Sequence, residues 1–97
     1  MTYQSFTESL QNEGPPADLN PLLTALWHDK SGNWRAAHHI AQSSEGTPAY
    51  DVLHAYLHRV EGDIGNAGYW YRRARRPVFD GPLGAEWEAL VREFLTI

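Results

Sequence analysis

The sequence contains no cysteine, and this absence removes several kinds of chemistry at once. Disulfide bonds, thiolate metal sites and cysteine nucleophiles are all excluded. Long apolar runs are missing too, since no window approaches the roughly 18 apolar residues that a membrane span needs. The first ten residues also lack the basic segment of a signal peptide. We therefore expect a cytoplasmic protein that makes no membrane contact.

Apolar residues are nevertheless abundant enough for one folded domain. Hydrophobic residues make up 42% of the 97 positions, a fraction too high for an intrinsically disordered chain. A chain of this length buries about two-thirds of its unfolded surface, so we expect one modest core and no large enclosed active site. No glycine-rich phosphate loop precedes a helix, and Ser31, Ser43 and Ser44 fall in loops or caps. We predict no catalytic residue and favour a protein that is not an enzyme.

Helical periodicity predicts an all-α fold with a single domain over residues 1–97. A short amphipathic helix and a proline-containing linker occupy residues 1–18. Residues 19–44 and 47–77 each have the pattern of two antiparallel helices joined by a tight turn, because apolar residues recur at helical spacing on both sides of a glycine. A last apolar stripe predicts a helix within residues 82–97 that closes the open end of the stack. The predicted caps of the four central helices are Asn20, Asn33, Thr47 and Asp63.

The two predicted helical hairpins are copies of each other at a spacing of 30 residues. The shift aligns Leu23 with Leu53, His28 with His58, Gly32 with Gly62 and Asn33 with Asp63. The segments GNWRAAHHIAQ and GDIGNAGYWYRRA resemble the turn and second helix of tetratricopeptide repeats. In that pattern glycine permits the turn, Asp or Asn caps the next helix and small alanines allow close packing. The resemblance covers residues 19–77.

This resemblance implies a right-handed superhelix of two short repeats, flanked by N-terminal and C-terminal capping helices. Stable arrays usually contain at least about three repeats, so the flanking helices or self-association must bury the remaining apolar surface. Tetratricopeptide repeats usually present a surface to a protein or peptide. The leading functional prediction is accordingly a non-enzymatic interaction module that binds a protein or peptide partner or a second copy of itself.

A histidine pair supports the alternative prediction, a domain that binds a divalent metal or a small ligand. His54 and His58 are four residues apart on the helix with the strongest apolar pattern. Histidines at this spacing present both imidazoles on one side of a helix and can chelate zinc or iron. No other cofactor is predicted. The further candidate groups for this site are Asp51, Glu61, His28 and Asn66.

Two other interpretations of these histidines remain open from the sequence. The helical period places His54 and His58 nearly opposite the apolar stripe, on a surface that faces solvent. The repeat alignment instead places His28 and His58 where tetratricopeptide helices bury a large side chain, so they would be structural residues hydrogen-bonded to backbone or carboxylate groups. The burial of the side chains decides between these interpretations.

The segment YWYRRARR combines three aromatic residues with four arginines and forms the candidate interface. Its aromatic side chains point three ways around a helix, so at least one is not fully buried, and exposed Tyr or Trp beside Arg is typical of interface anchors. Arginines in a last helical turn also complement the negative end of the helix dipole. The net charge of −4 argues against a nucleic-acid partner. The candidate interface residues are Tyr69, Trp70, Arg72, Arg73, Arg75 and Arg76.

Overall fold

The computed structural model describes residues 1–97 and contains six α-helices and no β-strand. The prediction of an all-α fold is confirmed. None of the six helices combines the length and the hydropathy required to cross a membrane. The helices are α1 (Tyr3–Ser9), α2 (Pro21–Lys30), α3 (Trp34–Gln42), α4 (Pro48–Val60), α5 (Ile64–Arg73) and α6 (Leu83–Phe94).

The turns after α2 and α4 use the same local chemistry, 30 residues apart. Gly32 and Gly62 adopt φ angles of 91° and 87°, which only glycine tolerates without strain. Beyond each glycine, the backbone N–H of Asn33 or Asp63 donates back to a carbonyl of the preceding helix, as in a Schellman motif. The side chains of Asn33 and Asp63 then cap α3 and α5. Each glycine-containing dipeptide therefore ends one helix and starts the next.

Asn20 caps α2 as predicted, because its side-chain oxygen accepts from the Leu23 N–H. Thr47 occupies the corresponding position before α4 but makes no side-chain hydrogen bond to the helix. The α4 N-terminus is held instead by Asp51, whose carboxylate accepts from the backbone N–H of Gly46. Asp51 is buried, so this bond also satisfies a charged group that water does not reach.

Helix α4 occupies the centre of the molecule. It contacts α2, α3, α5 and α6, while α2 also packs against α3. Every residue from Asp51 to His58 is buried. A helix covered on all sides must find partners inside the protein for its polar side chains, because a buried polar group without a hydrogen bond is costly. The partners of the two α4 histidines define the site described below.

A second buried polar network joins α4 to α5 and α6. The Glu86 carboxylate is 2% exposed and accepts from the Tyr71 hydroxyl and from the Arg59 guanidinium. Arg59 also donates to the Gly81 carbonyl ahead of α6. Burial, followed by the Glu86 carboxylate, raises the pKa of the Tyr71 hydroxyl, which therefore stays protonated and donating. Glu86 thus fixes α6 against the rest of the fold.

Candidate metal centre

Three histidine side chains meet where α3 contacts α4. His38 comes from α3, and His54 and His58 come from α4. The Nε2 atoms of His38 and His54 are 3.0 Å apart and form a hydrogen bond, so one of the two bears a proton. One ring nitrogen from each of the three histidines lies within 4.8 Å of the other two. These three side chains are called the histidine cluster below.

The helical spacing of His54 and His58 sets the geometry of the histidine cluster. Because the two residues are one turn apart, their rings stack with centroids 4.8 Å apart and planes inclined by only 21°. The His38 ring approaches both edge-on, at interplanar angles of 75° and centroid distances of 4.7 and 5.2 Å. This packing brings one nitrogen from each ring within 4.8 Å of the other two.

Two tryptophans hold these rings in place. Trp34 stacks on His38 with centroids 4.6 Å apart, and its indole N–H donates to the Leu57 carbonyl of α4. Trp70 of α5 stacks on His54 at 3.9 Å. Each stacking contact restricts the rotation of one histidine ring, His38 or His54. These side chains therefore have less conformational entropy left to lose when a metal binds. The cluster is thus pre-organised by helices α3 and α5.

Glu61 orients the third histidine. Its Oε1 atom lies 2.7 Å from Nδ1 of His58. A carboxylate oxygen only accepts hydrogen bonds, so Nδ1 must bear the proton. In the neutral ring this leaves the Nε2 lone pair free, which is the form that binds a metal. Around zinc, a carboxylate commonly accepts from the nitrogen of a histidine ligand that does not face the metal, and so fixes the orientation of the ring.

Burial keeps the other two histidines in the neutral form as well. The pKa of His54 is lowered to about 4 by burial first, and then by the neighbouring His38 and His58. Burial, with a further contribution from His58, also lowers the pKa of His38. At neutral pH the imidazole rings of His38 and His54 are consequently uncharged. Buried Nδ1 of His54 has no hydrogen-bond partner.

The metal-free protein should lose stability in mildly acidic solution because of this burial. An unfolded histidine titrates near pH 6.5, whereas folded His54 has a pKa of about 4. Between these pH values His54 is protonated in the unfolded state but stays unprotonated in the native state. The free energy of unfolding therefore falls as pH falls. We expect a loss of about 2 kcal/mol between pH 7 and pH 5, and the lowered pKa of His38 acts in the same direction.

Urea denaturation at pH 7 and pH 5 measures this loss. The His54→Gln variant should show a smaller difference between the two pH values, whereas His39→Gln should behave like the parent protein, because His39 is exposed on α3. A free energy of unfolding that stays constant between pH 7 and pH 5 would contradict the assignment of buried, neutral histidines.

The solvent-facing interpretation of the α4 histidines is wrong. His54 is 2% exposed and His58 is 6% exposed. The helical period correctly separates them from the apolar stripe, but α3 and α5 cover that side of α4 too: Trp34 meets His58 edge-on and Trp70 stacks on His54. The core placement inferred from the repeat alignment is confirmed for His58, which also has the expected carboxylate partner.

Three of the predicted ligand candidates lie apart from the histidine cluster. Asp51 accepts from the Gly46 N–H and is not among the groups whose ligand atoms lie together in the cluster. His28 is half-buried at the edge of Trp27 and lines a separate surface groove. Asn66 is exposed, and the expected hydrogen bond from Asn66 to an imidazole is absent. Only Glu61 joins His54 and His58, as the orienting residue.

His38 is the member of the histidine cluster that the sequence interpretation missed. Its repeat-equivalent position is Gly68, so the internal repeat gives no signal there. Trp34 and His38 are four residues apart on α3, and that spacing predicts a stacked pair on one face of the helix. Which helix that face would meet depends on tertiary packing, which the local pattern does not contain.

Of the candidate interface residues, one group is buried or paired within the fold and the other is exposed. Trp70 is 8% exposed and belongs to the wall of the histidine cluster, while Tyr69 is 43% exposed, so the expectation that one aromatic is incompletely buried is confirmed. Arg76 pairs with Glu93 of α6. The three remaining arginines are exposed at the end of α5, at positions Arg72, Arg73 and Arg75.

No cavity adjoins the histidine cluster, because the three surface grooves of the molecule are lined by other residues. No protein-family model, curated protein or solved structure matches this chain. The chemistry of the cluster is therefore the strongest indication of function.

Proposed function

We propose that this protein is a helical metal-binding domain in which His38, His54 and His58 bind one divalent transition-metal ion. The supporting observation is the convergence of three imidazoles from two helices within 4.8 Å. In a tetrahedral zinc site, where Zn–N bonds are about 2.0–2.1 Å, two imidazole nitrogens are about 3.3 Å apart. The hydrogen-bonded nitrogens of His38 and His54, 3.0 Å apart, are close to that spacing, and a bound metal would replace the proton between them.

The donor set selects the kind of metal. Three neutral nitrogens suit zinc, copper, nickel or iron, whereas magnesium and calcium require oxygen ligands. Three protein ligands leave a fourth position on the metal for water. The rings are enclosed by Trp34 and Trp70 and adjoin no groove, so the proposed role is retention of a metal between α3 and α4 rather than transformation of a substrate.

We further propose that α2–α3 and α4–α5 are two tandem hairpins of the tetratricopeptide type, capped by α1 and α6. The packing of α2 on α3 and of α4 on α5 supports this arrangement, as do the matching turns at Gly32 and Gly62. On this model His38 belongs to the first hairpin, and His54 and His58 belong to the second. A bound metal would connect the two hairpins.

Metal titration of the purified, untagged protein tests the metal-binding function. We expect one zinc or cobalt ion per chain by elemental analysis and calorimetry. His38→Ala should lose this binding, because two imidazoles cannot replace three. His39→Ala is the matched control, since it removes the adjacent, exposed histidine of the same helix. Glu61→Gln should weaken affinity by about 10–100-fold.

The proposed function is wrong if the parent protein binds no metal ion, or if His38→Ala binds as well as the parent. It is also wrong if His39→Ala loses binding to the same extent. Far-ultraviolet circular dichroism of each metal-free variant establishes that its helices remain folded, so that lost binding reflects a lost ligand.

A further inference from the structure

The end of α5 presents positive charge on a molecule whose net charge is −4. Of the four arginines at this end, Arg76 alone has a carboxylate partner, Glu93. Arg72, Arg73 and Arg75 are exposed and form no salt bridge. Three guanidinium groups at the end of α5 are therefore without a carboxylate partner within the molecule.

An aromatic surface accompanies these charges. Tyr69 is 43% exposed, and its hydroxyl accepts from the Arg73 guanidinium at 3.0 Å. The same guanidinium lies over the rings of Tyr69 and Trp70, at 5.8 and 5.1 Å from their centroids. Arg73 is thus already ordered, which reduces the entropy that it loses when a partner binds. Tyrosine and arginine are the residue types that most often anchor interfaces.

Arg75 has a strained backbone at a turn that glycine could make. Its φ angle is 61°, and it is the one non-glycine residue of the chain with a positive φ. Arg75 occupies the same place after α5 that Gly32 and Gly62 occupy after α2 and α4, with the same pattern of returning hydrogen bonds. Glycine would make this turn without strain. The exposed Arg75 side chain forms no hydrogen bond that would compensate.

We propose that Tyr69, Arg72, Arg73 and Arg75 form a docking surface for an acidic peptide segment of a partner protein. Guanidinium groups bind carboxylates through charge-assisted, often bidentate hydrogen bonds, and retained backbone strain is concentrated at functional positions. Three arginines beside one tyrosine match a short run of Asp and Glu. A nucleic acid needs a longer basic surface than three arginines at the end of one helix provide. The inference is independent of the metal-binding function.

Fluorescence anisotropy with a defined probe tests this surface. The probe is a fluorescein-labelled decapeptide of nine Glu and one central Phe, and the matched peptide has Gln in place of every Glu. We expect saturable binding of the Glu peptide at low salt and none of the Gln peptide. The double variant Arg72→Gln/Arg75→Gln should weaken binding about tenfold. Arg35→Gln, which removes an exposed arginine from α3, should change binding by less than about twofold.

Arg75→Gly separates docking from folding. This variant should bind the Glu peptide several-fold more weakly while its melting temperature rises by a few degrees, because glycine relieves the strained turn. A role in stability alone would predict no change in binding.

Three results would overturn the proposal. They are no saturable binding of the Glu peptide, equal binding of the Gln peptide, and equal weakening by Arg35→Gln. Tighter binding of a ten-nucleotide oligo(dT) than of the Glu peptide would assign the surface to nucleic acid instead and would also overturn it.

Discussion

Zinc is expected to raise the melting temperature of the metal-free protein by about 10–20 °C when its free concentration is a hundred times the dissociation constant. A ligand that binds only the native state stabilises it by about 2.7 kcal/mol under that condition. Each kcal/mol raises the melting temperature of a domain of this size by about 4–8 °C. Zinc should bind the native state only, because folding is what brings His38 of α3 beside His54 and His58 of α4.

Thermal melts monitored by circular dichroism, with and without zinc, measure the shift. His38→Ala should abolish it, whereas His39→Ala should retain it. His38 is preferred to His54 as the test position, because it is only half-buried and its truncation leaves a smaller void. Magnesium at the same concentration should have no effect, since the cluster contains no oxygen ligand. An equal shift with magnesium, or a shift retained by His38→Ala, would exclude the histidine cluster as the site.

Truncation of Glu86 should lower the free energy of unfolding by about 3–5 kcal/mol. Glu86→Ala leaves the Arg59 guanidinium, whose side chain is 15% exposed, without its carboxylate. It also removes the acceptor of the buried Tyr71 hydroxyl. Removal of one member of a buried pair costs more than the pair contributes, because the other charge stays out of water.

Equilibrium urea denaturation gives this free energy directly. Glu88→Ala is the control on the same helix, because Glu88 forms an exposed pair with Arg92, and such pairs contribute about 0–1 kcal/mol. Glu86→Gln should fall between the two, since an amide oxygen still accepts from Tyr71 but bears no charge. If Glu86→Ala costs no more than Glu88→Ala, the buried network does not hold α6 in place.

Local sequence signals predicted the boundaries of the elements better than their contacts. Asn20, Asn33 and Asp63 cap helices as expected, because a cap is an interaction between residues three positions apart. Thr47 shows the limit of that signal: proline follows it and the helix begins there, yet the hydroxyl makes no capping bond. A residue that favours the N-cap position therefore indicates where a helix starts. Whether its side chain makes the capping hydrogen bond depends on the conformation of the chain that precedes the helix.

The histidine cluster required information that no local pattern contains. The spacing of His54 and His58 predicts two neighbouring imidazoles, and these two rings do stack. Glu61, three residues after His58, pairs with its ring. His38 is 16 residues from His54 and approaches it only because α3 packs against α4. Glu86 is a similar case, because an acidic residue in a first helical turn is equally typical of an exposed position. Only the packing of α6 shows that it is buried.

Helix α4 has neighbours on so many sides that apolar packing alone would allow it several rotational settings about its own axis. His58 and Arg59 are adjacent in sequence and project about 100° apart around the helix, one into the histidine cluster and the other towards Glu86. A rotation of α4 by a fraction of a turn would break both polar networks together. The two networks therefore give the central helix a single orientation, a specificity that a uniformly apolar helix would lack.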